Sequence, residues 1–117
     1  MKAGKLKESV FKRSILKQLH NRREDVLVKP AVGGDYGAIS VTNDMAVVMS
    51  SDPVTLTRDM IGSSGIIAAC NDVACAGATP LGVSVTMLLP TSFNEEELRD
   101  LMKDLDGACE KCAVDII

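Results

Sequence analysis

The run Ile66 to Ala78, IIAACNDVACAGA, constrains this chain more than any other segment. Every residue in it except Asn71 and Asp72 is apolar or small. The pattern predicts a helix that another backbone or a ligand can approach closely. An ionised carboxylate in such surroundings is costly unless it is paired or holds a cation. Asp72 therefore needs a partner, and a metal ion is a good candidate. Gly77 is predicted to end the helix, and Pro80 to keep it from resuming.

Two more carboxylates lie upstream. Gly33-Gly34-Asp35-Tyr36-Gly37 is a glycine-rich turn with one acid, and Ser50-Ser51-Asp52-Pro53 places another after the apolar run Met45–Met49. Taken singly, Asp35 and Asp52 are better explained as turn and cap residues. Together with Asp72 they form a set of hard oxygen donors, which suits Mg²⁺ bridging to phosphate.

The order of these motifs carries a resemblance. G-x-D before an Ala-Ile strand, then S-D-P, then N-D-x-A-x-x-G-A-x-P over 71–80, resembles the amino-terminal domain of the aminoimidazole ribonucleotide synthetase superfamily. The last string is the most specific of the three. Gly4-Lys5-Leu6 and Arg23-Glu24-Asp25-Val26-Leu27-Val28 look most like the hydrogenase-maturation, carbamoyl-dehydrating branch. The likeness runs from about Gly4 to Ile117.

The resemblance implies an ATP- and Mg-dependent enzyme that phosphorylates an amide or carbamoyl oxygen of a small molecule. By motif, Asp35, Asp52 and Asp72 would be the metal ligands. Asn71 would lie beside the phosphates, and Gly33 and Gly34 would let the backbone approach them. The resemblance also implies a homodimer formed through sheet faces. Four features depart from the family pattern, one being that the glycine-rich, His-containing segment expected after the terminal strand is lacking. Tyr36 stands where a second Asp is usual, a carboxyl-terminal nucleotide-enclosing domain is lacking, and so is the cysteine that carries the carbamoyl group. The expectation is thus a single domain over 1–117, excised from a longer enzyme and inactive alone. The alternatives are a non-catalytic dimerisation or interaction module and a purine-biosynthetic ligase of the same superfamily.

Composition narrows the class. A chain of 117 residues is one domain by length. Aromatic residues are 3% and Trp is absent, so Val, Ile, Leu, Met and Ala must build the core. A net charge of −3 gives no electrostatic footprint for nucleic acid. No apolar run is long enough for a membrane span. The charged first 20 residues predict no signal peptide, and the four cysteines then read as reduced cytoplasmic thiols.

The periodicity predicts an amphipathic helix over Lys5–His20, with His20 at its carboxyl end, where the dipole favours a cation. Short strands are expected at Val26–Val28, Ala38–Thr42 and Met45–Ser50, the last two joined by a hairpin turn at Asn43-Asp44. A second helix is expected over Asp59–Ala76, capped by Asp59. Leu81–Leu89 is predicted as the longest strand. Asn94 and Glu97 form a capping box for a final helix, whose apolar face is Leu98, Leu101, Met102, Leu105, Ala108, Cys109 and Cys112. Val114–Ile117 is predicted to start a strand. The fold class is α+β, a mixed or antiparallel sheet with helices on one face and the other face free for dimerisation.

Three motifs invite over-reading. Cys109-Glu110-Lys111-Cys112 closes a helix, whereas a redox C-x-x-C opens one. With Cys70 and Cys75 these residues fit no common zinc spacing, and they read as core. Gly62-Ser63-Ser64-Gly65 lacks the Lys-Ser/Thr of a P-loop and reads as close packing under a sheet.

Overall fold

The computed structural model describes residues 7–20, 23–55 and 59–117. The chain divides into two compact units, Met1–Met49 and Ser50–Ile117. The class is α+β, and among the described residues the strands fall in two sheets, one in each unit.

In the first unit, helix α1 spans Glu8–Ser14 and a 3-10 turn follows at Leu16–Gln18. The expected helix over Lys5–His20 is therefore shorter and broken at Ile15, whose φ and ψ are −117° and −66°. Its first two residues lie outside the described residues. The physical reason is packing: α1 buries no residue, and a short helix gains most of its stability from a buried face. His20 consequently lies beyond the helical turn.

Strands β1 (Val26–Val28), β2 (Gly37–Thr42) and β3 (Met45–Met49) form an antiparallel sheet in sequence order. Asn43 and Asp44 make the turn between β2 and β3, where their short polar side chains suit a tight connection. Ala38 is buried and faces Val48, while Ile39 faces Val47 on the opposite side of the sheet. That second side stays apolar and open: Ile39, Val47 and Met49 are 37%, 44% and 57% exposed.

The second unit is built on two helices. α2 spans Ile61–Cys75 and α3 spans Glu95–Cys112. Gly62, Ile66 and Cys70 recur every fourth residue and are the buried positions of α2. Leu105, Ala108 and Cys109 are those of α3. With Val114 they form the core, and Val83, Val85, Leu101, Met102 and Cys112 pack around it. The predicted face of α3 is the one buried. Fully burying a side chain such as Ile66 contributes about 1.5–3 kcal/mol.

The capping box of α3 forms as predicted: Asn94 accepts the Glu97 N–H at 3.0 Å, and Glu97 accepts the Asn94 N–H at 2.9 Å. The N-cap position falls one residue later than the Asp59 expected. The N-cap of α2 is Met60 in left-handed geometry, with φ 61°, and its side chain makes no cap bond. The Asp104 carboxylate of α3 supplies the acceptor instead, taking the Ser63 N–H at 2.8 Å. Gly62-Ser63-Ser64-Gly65 thus packs closely against a helix rather than under a sheet. A Cβ on Gly62 would lie 2.9 Å from Leu105 Cγ. The other end of α2 behaves as expected: Gly77 takes φ 73° and its N–H returns to the Ala74 carbonyl.

The long strand expected over Leu81–Leu89 shrinks to β4, Gly82–Val83, which pairs in parallel with β5, Asp115–Ile116. Among the described residues, Ser84–Leu89 joins no ladder. Alternating side chains fit a strand only where a neighbour takes up the backbone hydrogen bonds. No described helix is long and apolar enough to cross a membrane.

Candidate functional site

The last turn of α2 has an unusual charge balance. A helix carboxyl end carries partial negative charge and favours cations. This one has no Lys or Arg in its last turn, and Asp72 lies there instead. Dipole and carboxylate add, so the end of α2 attracts positive charge.

Asp72 is half-buried, whereas Asn71, Asp52 and Asp35 are exposed. The hydroxyl of Ser50 donates to Asp72 Oδ2 at 2.8 Å. Ser50 is half-buried and stands two residues before Asp52. Two residues of extended chain span about 7 Å at most, so this bond brings the Asp52 backbone close to Asp72. Sequence reading missed Ser50. The only signal was its place at the exit of an apolar strand beside Ser51-Asp52, which does not reveal a partner 22 positions away.

Asp35, Gly33 and Gly34 belong to the first unit, in the loop that precedes β2. Gly33 has φ 73°, a left-handed conformation that favours glycine, and a Cβ there would meet no atom within 4 Å. The space beside its Cα is open. The Gly34 N–H closes a turn onto the Ala31 carbonyl at 3.4 Å.

Among the described residues, no three His, Cys, Asp or Glu side chains group as a metal site. Mg²⁺ does not require three. It is usually held by one or two carboxylates, with substrate phosphates and waters completing the octahedron. Asp52 and Asp72, linked through Ser50 at a cation-favouring helix end, fit such an ion in donor chemistry and charge.

Other polar features lie elsewhere. A cavity of about 540 Å³ in the first unit is lined by Leu16, Leu19, Arg23, Val26 and Lys29 among others, and by none of the predicted site residues. Arg23 holds Asp25 by two bonds of 2.8 and 2.7 Å, which lowers the Asp25 carboxyl below its usual range. The four cysteines are free thiols. Cys70 and Cys109 are buried, Cys112 is half-buried, and Cys75 is exposed, against the expectation that it belongs to the core. Burial pushes the Cys70 thiol up, with Cys112 adding to the effect, and burial likewise raises Cys109 beside Asp106.

Comparison with known proteins places these features in a family. The chain is 29% identical over 122 residues to a protein of Methanocaldococcus jannaschii named for hydrogenase expression/formation, covering 97% of this chain and 35% of that protein. It is 29% identical over 90 residues to the carbamoyl dehydratase HypE of Cupriavidus necator, covering 73% of this chain and 26% of that enzyme. The chain thus spans about a third of the length of the first relative and about a quarter of the second. No solved structure matches it. The model of the AIR synthase related protein N-terminal domain matches residues 33–117, most of the chain and all the predicted site residues. The chain therefore belongs to the AIR synthase related family, as its N-terminal domain.

Proposed function

We propose that this chain is the amino-terminal domain of a cytoplasmic, hydrogenase-maturation enzyme that uses ATP and Mg²⁺ to activate an amide or carbamoyl oxygen by phosphorylation. The observation that carries this reading is the likeness to a carbamoyl dehydratase over 73% of the chain. Asp52 and Asp72 hold the metal, and Asp35 in the glycine-rich loop is a further hard oxygen donor. When bound, Mg²⁺ neutralises charge that develops on the transferred phosphoryl group. Asn71 offers an amide N–H to phosphate oxygens, and the open flank of Gly33 lets phosphate approach the backbone. The chain supplies part of the nucleotide site and acts together with a second domain. It pairs with a second copy through the exposed face of Ile39, Val47 and Met49.

Tyr36 and that open apolar face favour a second reading, a non-catalytic dimerisation module. The two readings part at one experiment. Mn²⁺ titration in the presence of ATP, followed by electron paramagnetic resonance, should show a bound Mn²⁺ signal that Asp72→Asn removes. Binding indifferent to Asp72→Asn, or no binding when the second domain is also present, favours the module.

A further inference from the structure

We infer that Ser50 is a positioning residue for Asp72: its hydroxyl fixes the carboxylate in the orientation that receives the metal–nucleotide complex. The inference rests on the function proposed above and adds a residue to it. Ser50 Oγ lies 2.8 Å from Asp72 Oδ2, across 22 positions of sequence, and both residues are half-buried.

The geometry has two consequences. A carboxylate can accept about four hydrogen bonds or ligand contacts, so one hydroxyl on Oδ2 leaves coordinating capacity on the group. Without that hydroxyl, the Asp72 side chain loses a bond that fixes its orientation. Ordering a ligand side chain before binding removes a cost that the bound ion would otherwise meet. The second consequence concerns Asp52. Ser50 sits on the same segment, so its bond to Asp72 also sets where Ser51, Asp52 and Pro53 leave the helix flank. One hydroxyl thereby helps to place both candidate metal ligands of the second unit, Asp72 and Asp52.

This role requires a donor at position 50 and little else. Threonine keeps the hydroxyl, alanine removes it, and neither changes charge. Mn²⁺ binding in the presence of ATP, read by electron paramagnetic resonance, is the direct measurement on Ser50→Ala, Ser50→Thr and Asp72→Asn. Thermal unfolding of each variant is recorded alongside. We expect Ser50→Ala to weaken Mn²⁺ binding about tenfold, a typical loss for the orienting partner of a metal ligand. Ser50→Thr should restore most of it, although both variants unfold close to the unaltered chain. A Ser50→Ala variant that binds Mn²⁺ normally, while Asp72→Asn does not, overturns the positioning role and leaves the proposed function standing. Loss in Ser50→Ala that tracks a lowered unfolding temperature and is not restored by threonine also overturns it, in favour of a purely structural bond. If Asp72→Asn binds as well as the unaltered chain, the proposed metal site fails, and the role of Ser50 fails with it.

Discussion

Asp104 of α3 accepts the backbone N–H of Ser63 at 2.8 Å, so the cap of one helix is supplied by the side of another. The first turn of α2 contains no acid of its own, and its N-cap Met60 bonds nothing through its side chain. Asp104→Ala should therefore destabilise the chain by about 1 kcal/mol, the usual cost of a lost cap. Asp104→Asn keeps an acceptor and should cost less. Urea unfolding of the two variants checks the order.

At Gly62 the two helices are in close contact. A Cβ there would meet Asp104 Oδ2 at 2.8 Å, Leu105 Cγ at 2.9 Å and the Leu105 nitrogen at 3.2 Å. The carboxylate can swing away, but only by giving up Ser63, and the Leu105 contacts remain. Gly62→Ala should cost about 1–3 kcal/mol, the range for overpacking a tight contact, despite the better helix propensity of alanine. Unchanged or improved stability in urea would show that the helices separate freely.

Thiol chemistry should divide the cysteines by burial. An alkylating reagent in native buffer should label Cys75 first, and Cys70 and Cys109 last, as peptide mapping over time would show. The raised thiol pKa values of Cys70 and Cys109 also carry a pH dependence. A raised folded-state value means that the fold prefers the neutral thiol. That contribution is complete below the ordinary thiol value of about 8.5 and is lost as pH rises through the folded value. Stability should thus fall on the alkaline side, and replacing both residues by alanine should flatten the fall while lowering stability at neutral pH.

The open face of the three-stranded sheet should mediate self-association. Ile39 and Val47 are cross-strand partners on that face, and Met49 continues it. We expect a dimer in sedimentation velocity at micromolar concentration, and a monomer for Val47→Glu, which places a charge at the centre of the patch. A monomer before substitution would show that the face serves another purpose.

Elements with strong local chemistry were legible in the sequence. The Asn94–Glu97 box, the Asn43-Asp44 turn and the Leu105–Cys109 face rest on contacts a few residues apart, and each formed where expected. What depended on distant partners was not. Asp59 is a good cap residue, but the N-cap falls at Met60, and Asp104 accepts the Ser63 N–H from across a helix interface. Leu81–Leu89 alternates like a strand, but only Gly82 and Val83 find hydrogen-bonding neighbours. At the candidate site, the family motifs pointed to the carboxylates themselves. The hydroxyl that ties one of them in place was invisible, because serine before an aspartate is common wherever a strand ends.

The parallel pairing of β4 with β5 has a consequence for synthesis on the ribosome. The β2–β3 hairpin and the capped start of α3 need only sequence neighbours, so each can form soon after it leaves the exit tunnel. Gly82 and Val83 must wait, because their partners Asp115 and Ile116 are translated only after the whole of α3. Through that interval Val83 and Val85, which pack on the core in the finished fold, lack Cys109 and Val114 to cover them. A nascent chain paused within α3 should therefore be a better chaperone client than one that has passed Ile116.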